Sequence, residues 1–588
     1  MIMRFSSRTL IPLALTFIIV GAALSTPSQS AEYIVDPDES WTVPQEQLVP
    51  GTESALFSER SSQDRPFSAL LDPSKLDNNQ LDPTCLGLDD PKCTLTDFLF
   101  WAQVPVCQTS VDMNCIETIG AIDSNGIDHP GSFQRYYPLV AQNKFSEDQS
   151  VSLPRGGTGS IFTIPGVSGP AGDAYYVSLV MSGQGRKGET RKVSLHSITA
   201  QISPVQIQPT QFNKSGCLEA SGICNIGWVK LQYGDGYQYN ESGSLGLGCV
   251  VSSYDENSCA KKEAFPDGYR FYLRARLTLN PSGWLHGRMA NPDISITQQN
   301  GVTQLVVSAA PVAVPVIFKT YRWSEMPTEL QSIYDPTTGR LKGFPKSEGG
   351  FFSHGSTDPL ERAWTVGPAP YEETAFTEIN AWLPYVNNKA TVTPHYWSFR
   401  SLTPGELTTA NKCFSDSSQL NGIVTTNSTV YSPGPPTFDK GEGNLNYQVA
   451  APHYTNKDEV FKGTYDLVMR STVARCVYGF SKAPIKATIS VVSASGSPQI
   501  ATTVVNETDG WLHLSANGFE FSSPTVKVNL AQDAPAPEPT VTPTPEPTAT
   551  PTIAPVRSKK MTIKCVKGKI VRTVTSTKPS CPKNYTKK

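Results

Sequence analysis

The sequence predicts a mainly β, multi-domain protein: antiparallel β-sandwiches, the C-terminal one immunoglobulin-like, with a mixed middle region and a disordered Pro/Thr linker. Three observations carry this. Short β-branched and aromatic runs recur between Gly, Pro, Asn and Ser clusters. Twelve cysteines fall mostly in close couples, and a Thr/Pro tract separates the body from a lysine-rich end. At 588 residues the length prior suggests about three to four folded units.

Residues 1–30 read as a secretory signal peptide, with Arg4 and Arg8 ahead of an apolar stretch from Leu10 to Leu24 and a small-residue run at Ser28–Ala31. The apolar stretch contains Pro12 and is too short to span a bilayer, and no later stretch is long and apolar enough. Residues 31–80 are acidic and rich in Ser, Pro and Asp, an extended lead-in. A disulfide-containing β domain is expected over 81–311. Its strands are Tyr175–Met181, Lys192–Ile198, Tyr269–Leu277 and Asp293–Ile296. In the third, Phe271, Leu273, Ala275 and Leu277 alternate with Arg270, Tyr272, Arg274 and Arg276, the pattern of a half-solvated strand. The three arginines raise the alternative of an anion-binding face.

Residues 312–411 are mixed. Pro327–Tyr334 predicts a short helix with proline at its first turn, and Phe376, Ile379, Trp382 and Leu383 stand near helical spacing within Glu372–Tyr385. Trp323, Trp364, Trp382 and Trp397 concentrate here, as core residues or as a sugar-stacking platform. From 412 to 532 strands return at about ten-residue spacing, at Tyr465–Met469, Ala474–Phe480, Ile485–Val492, Gln499–Val505, Trp511–Ser515 and Thr525–Leu530, which predicts a β-sandwich. Gly283-Trp284-Leu285-His286 recurs as Gly510-Trp511-Leu512-His513, each ahead of a proline and a strand, a weak sign of an internal duplication.

Cys85, Cys93, Cys107, Cys115, Cys217, Cys224, Cys249, Cys259, Cys413, Cys476, Cys565 and Cys581 form an even set behind an export signal, which favours disulfides. Pairing between sequence neighbours is expected. The gap from Cys413 to Cys476 resembles the immunoglobulin inter-sheet bridge, although no Trp lies between them and Ala474 stands where that fold has Tyr. No couple has zinc-knuckle spacing.

Catalytic motifs do not emerge. The seven histidines are scattered singly, and there is no GxSxG elbow, HExxH or phosphate-binding loop. Ser353-His354-Gly355-Ser356-Thr357-Asp358 reads as a turn. No cofactor is expected; Asp123–Asp128 and Gly234-Asp235-Gly236 are the candidates for calcium, and the first departs from the EF-hand pattern. Paired carboxylates of a glycosidase would leave no mark in sequence spacing.

The end of the chain is the strongest signal. Residues 533–556 form the Thr/Pro linker, a semi-rigid spacer of up to about 70 Å at roughly 3.1 Å per residue. Residues 557–588 form a basic two-cysteine module. The whole chain carries −3, the signal segment +2 and the tail +11, so the body between them stands at −16. Lys559, Lys560, Lys564, Lys567, Lys569, Arg572, Lys578, Lys583, Lys587 and Lys588 are the envelope-binding candidates, and the tail has no acidic residue. Met561–Val574 alternates apolar and basic residues around Lys567-Gly568-Lys569, which predicts a hairpin.

Lys560–Lys569, followed by Lys578–Lys588, resembles the basic module that ends many secreted actinobacterial surface proteins after a Thr/Pro linker. Ala474–Phe480, Gly510–Leu512 and Phe519–Thr525 resemble a domain of uncharacterised proteins from that group. The resemblance covers roughly residues 460–588 and implies location more than activity. The resulting expectation is a secreted, non-enzymatic protein that holds β domains on the cell envelope through an anionic polymer or surface, with no nucleic-acid partner. A secreted carbohydrate-binding or carbohydrate-active protein and a protein-binding adhesin are the alternatives.

Overall fold

A central sheet of 14 strands runs through residues 69–520 among the described residues. Its main path is Ala69–Leu71, Asp97–Gln103, Ala174–Arg186, Ser194–Pro209, Ser398–Ser401, Gly283–Arg288, Leu420–Thr426, Lys462–Arg470, Trp511–Glu520 and Thr502–Thr508. Neighbours are antiparallel except Gly283–Arg288 beside Leu420–Thr426. The computed structural model describes residues 51–57, most of 68–532, and 559–588; the chief interruptions fall within 74–84, 92–95, 210–257, 336–370, 391–395, 482–484 and 493–501. The expected signal peptide and Thr/Pro linker lie outside the described residues.

The fold is mainly β, as the alternation predicts. Side chains of a strand alternate between its faces, and here both faces of the central strands are covered. Leu285, Ile423, Val468 and Trp511 enter one core, shared with Phe271, Leu273, Ile294, Leu305 and Val307. Those partners come from a five-stranded sheet in the order Ala290–Gln299, Val302–Ala310, Arg270–Leu277, Cys115–Ile122, Asp128–Pro130. Trp284, Val424, Leu467, Met469, Leu512 and Leu514 point the other way, into a second core with Tyr447, Val449, Ile489, Val526 and Val528. That core is closed by a six-stranded sheet containing Asn444–Ala450, Ile485–Val492 and Thr525–Gln532. Two sandwiches thus share one sheet, which explains the near-continuous burial of Lys462–Arg470.

The expected divisions at 311/312 and 411/412 do not separate compact units. Ser398–Ser401, from the mixed region, is bonded on one side to Ser194–Pro209 and on the other to Gly283–Arg288, which itself pairs with Leu420–Thr426. Among the described residues, those up to Ala531 form one compact unit and those from Gln532 onward another. The lead-in also needs correction. Thr52–Phe57 pairs with both Ile317–Arg322 and Ala363–Val366, and Ala55 and Phe57 are buried against Leu330 and Tyr334 and, from the second expected helix, Ile379 and Trp382. Both expected helices are present, at Thr328–Ile333 and Glu373–Trp382.

Ala474–Phe480 is not a strand. Ser471–Tyr478 is an α-helix ended by Gly479 at φ +68°, the left-handed position that glycine accepts without a Cβ penalty. Its Val473, Ala474 and Val477 recur at helical spacing and face the second core, a period that the β-branched composition obscured. The Cys413–Cys476 disulfide forms, but it joins a 3-10 turn (Lys412–Phe414) to this helix rather than two facing strands. The likeness to the immunoglobulin bridge therefore ends at the spacing. Trp284 reinforces the turn, donating its indole N–H to Phe414 O at 3.0 Å and packing edge-on against that ring.

Cys107–Cys115 and Cys565–Cys581 are the other described bridges. Cys85 is also disulfide-bonded, and no described cysteine is free. Cys93 and the side chains of Cys249 and Cys259 lie outside the described residues, as do those of Cys217 and Cys224, whose backbones stand opposite each other in a hairpin. By loop entropy the 63-residue span stabilises by about 4 kcal/mol and the eight-residue span by about 2.5 kcal/mol.

Among the described residues, a buried ion pair borders the second core. Arg400 donates two bonds of 2.8 Å to the two oxygens of Glu406, and a third to Tyr431 Oη at 3.2 Å. Thr403 completes the carboxylate's shell through its N–H and hydroxyl. Burial opposes the guanidinium charge, but Tyr431 and Glu406 outweigh it and raise the Arg400 pKa. Removing one partner strands the other charge. Glu406→Gln is expected to cost about 3–5 kcal/mol, read as a lowered urea midpoint; a loss below about 1 kcal/mol, the scale of a surface pair, would place the pair in contact with solvent.

Candidate functional site

The basic module is a three-stranded antiparallel sheet, Ile570–Ser576, Met561–Lys567 and Thr586–Lys587 in spatial order. The hairpin expected around Lys567-Gly568-Lys569 is present, with Gly568 at φ +60°. Register places Met561, Ile563, Cys565 and Lys567 on one face with Ile570, Arg572, Val574 and Lys587. Cys581 bonds to Cys565 at the centre of that face, so the segment before the last strand folds over it. Cys565 is fully buried, and Ile563, Val574 and Tyr585 are half-buried around it. The Arg572 guanidinium lies 5.7 Å from the Tyr585 ring centre.

All ten envelope-binding candidates are exposed. They are not gathered into one patch. Lys567, Arg572 and Lys587 share the stapled face, Lys564 stands on the opposite one, and Lys569 sits in the hairpin turn. The others lie in the segments outside the strands. None makes an ion pair among the described residues. The opposite face also carries Thr562, Thr573, Thr575 and Thr586, with Thr562 and Thr575 hydroxyls 2.8 Å apart.

Other features singled out from the sequence resolve differently. The arginine face is not an anion site: Arg270 donates to Asn291 O and Ser308 O, and Arg276 to Thr109 O and Ser110 O, leaving Arg274 exposed. Asp123 spends one oxygen on the N–H groups of Asn125 and Ile127, a hairpin turn with Gly126 at φ +81°. Trp382 and Trp397 are core residues, donating to Tyr334 Oη and Ala309 O. Trp323 is half-buried, and the Trp364 side chain, residues 354–357 and Gly234-Asp235 lie outside the described residues.

The two GWLH segments begin strands of the same central sheet, each after a glycine near φ +78°. Their tryptophans and histidines face opposite ways. His286 is fully buried beneath the second core, stacked on Tyr431 with ring centres 3.9 Å apart and with Arg288 over the same ring. His513 instead lines a cleft on the other face.

That cleft, of about 700 Å³, opens between Ala290–Gln299, the edge strand of the five-stranded sheet, and the face of three central strands. Register sets its floor as three rows: Arg470, Trp511, Thr508; Val468, His513, Asn506; and Asp466, Ser515, Val504. Asp466 ties floor to wall, accepting the Asn291 N–H at 2.9 Å and the Thr425 hydroxyl at 3.1 Å. Burial raises its pKa, against bonds from Ser515 and Asn291. Arg470 lies over the Trp511 ring and donates Nε–H to Leu420 O. Burial lowers the His513 pKa, while Asp293 and the Pro292 carbonyl oppose that. The sequence signals for this site were the second GWLH segment and a lone carboxylate inside the apolar run Tyr465–Met469; the rest is assembled by register alone. No protein-family model and no curated protein matches this chain.

Burial, with Arg288 and Arg400 nearby, holds the His286 pKa well below 6.5. The unfolded chain takes up this proton near pH 6.5 and the folded chain does not. The unfolded state then binds more protons, so stability is full above pH 6.5 and is lost as pH falls below it. His286→Gln is expected to flatten the loss of stability between about pH 7.5 and about pH 5.5 in urea titrations, even if it lowers stability overall. An unchanged slope would assign the acid loss to His196 and His513, whose values burial also lowers.

Proposed function

We propose that this chain is an exported, non-enzymatic protein of the cell envelope, whose body is held at an anionic polymer by the C-terminal module. The observation that carries this reading is the module itself: a compact disulfide-stapled unit with ten exposed Lys and Arg side chains and no acidic residue. Outside such a sheet the charges have no internal partner, so they are available to an external polyanion. Their spread over both faces, the turn and the ends favours a flexible polymer that wraps the module over a flat lipid surface. The disulfides accord with an oxidising compartment. No helix among the described residues is long and apolar enough to cross a membrane. The acidic body would stand off the same polymer, the linker acting as spacer.

Electrostatic attachment predicts release by salt, because exposed charges are screened within a Debye length of about 10 Å at 0.1 M. Full-length protein is expected to sediment with isolated envelopes or immobilised teichoic-type polyphosphate at low salt and to elute as salt rises. Changing Lys564, Lys567 and Lys569 together to Ala removes on the order of 3 kcal/mol, roughly a hundredfold in affinity. Retention indifferent to salt and to these changes would sink the proposal.

A further inference from the structure

The cleft on the body faces solvent with more hydrogen-bonding capacity than the fold consumes. Ser295 and Thr297 on the wall strand, and Asn506 and Thr508 on the edge strand opposite, are exposed and have no side-chain partner among the described residues. Asp293 and Asp509 stand with them at the two rims. On the floor, Arg470 uses only Nε in a hydrogen bond among the described residues, so its terminal nitrogens remain as donors. His513 stands beside the Pro292 carbonyl, and its neutral ring offers one donor and one acceptor nitrogen. Asp466, only 2% exposed, fixes floor and wall relative to each other through Asn291. The site is therefore built on strands of two packed sheets, with its polar groups preorganised by register.

The chemistry of the lining selects a ligand class. Two rim carboxylates against one arginine leave no excess of positive charge, so a polyanion is disfavoured. The uncommitted groups are hydroxyl, amide, carboxylate, imidazole and guanidinium, an alternating set of donors and acceptors. The exposed apolar surface between them is Val504, which is half exposed, underlain by the nearly buried Val468 and Trp511. A ligand that offers hydroxyls able both to donate and to accept, on a skeleton with apolar C–H faces, meets all of these together. A volume of about 700 Å³ falls within the range of roughly 300–1,000 Å³ typical of small-ligand sites. Pairing of an added peptide strand to Ala290–Gln299 is less suited, because Pro292, Asp293 and the register shift between Ala290 and Asp293 blunt that edge.

We propose that this cleft is a binding site for a neutral saccharide, with Asn506 and Thr508 on one side and Asp293 and Ser295 on the other gripping its hydroxyls above the Arg470–Trp511–His513 floor. The site belongs to the body and stands independently of the terminal module.

The test uses the full chain at an ionic strength that abolishes attachment through the tail, so failure of the tethering reading leaves it intact. Neutral oligosaccharides (gluco-, manno-, galacto-, xylo- and N-acetylchito-oligomers) are titrated by calorimetry beside oligogalacturonate and an unstructured peptide. Saturable binding of at least one neutral oligomer is expected, weakened tenfold or more in Asp293→Ala/Asn506→Ala, two exposed positions whose loss leaves the melting temperature unchanged. Trp511→Phe, read by the same titration, keeps the apolar floor and is expected to weaken binding less. No binding across the neutral panel, binding unaffected by the double substitution, or preference for the acidic oligomer or the peptide would each overturn the assignment.

Discussion

Both faces of the central sheet are covered, and that single constraint organises the body. A strand can be buried on both sides only if successive residues satisfy two different cores. In Lys462–Arg470, Leu467 and Met469 fill one while Val468 fills the other; Trp284 and Leu285 divide in the same way. A register slip by one residue would exchange the two sets. The sheet therefore fixes the two flanking sheets relative to each other. It also explains why strands from distant parts of the chain cannot be cut into separate domains.

Such a sheet leaves few places for polar groups, and three sites show how they are accommodated. Asp466 interrupts an apolar run, yet its carboxylate anchors the neighbouring edge strand through the Asn291 N–H. Arg400 and Glu406 neutralise one another beside Tyr431, and His286 stays uncharged next to two guanidinium groups. The cleft follows from the same geometry: where the five-stranded sheet stops at Ala290–Gln299, three central strands run on and expose one face. Arg470, His513, Asn506 and Val504 carry the side chains that a covering sheet would otherwise have buried.

The terminal module solves the opposite problem. About thirty residues bury too little apolar surface to be stable without help, and here Cys565, fully buried, is the centre of the core rather than an addition to it. Its bridge to Cys581 holds a loop over one face of a small sheet. Every lysine is thereby left outside, where the absence of acidic neighbours keeps the whole charge available.

Much of this was legible in the sequence because it depends on local periodicity or composition. The β class, both short helices, the hairpin at Lys567-Gly568-Lys569 and the cysteine couples at 107–115, 413–476 and 565–581 all follow from local spacing or from pairing between cysteines that are neighbours in sequence. The readings that failed are those in which tertiary contacts override a local preference. Thr52–Phe57 looked like extended lead-in because the stretch 31–80 around it is acidic with few apolar clusters, and it is buried because Leu330, Tyr334 and Trp382 arrive from far along the chain. Ala474–Phe480 looked like a strand because valine and tyrosine favour strands, whereas a second core and Gly479 select the helix. Sequence alone determined which side chains carry charge, that the fold is mainly β, and that the tail is basic without compensation. Only the tertiary structure decided which face each strand residue takes, and hence that Asp466, Arg470, Asn506 and His513 meet in one cleft. Register between strands up to hundreds of residues apart is a long-range property, set by cores that no window of sequence contains.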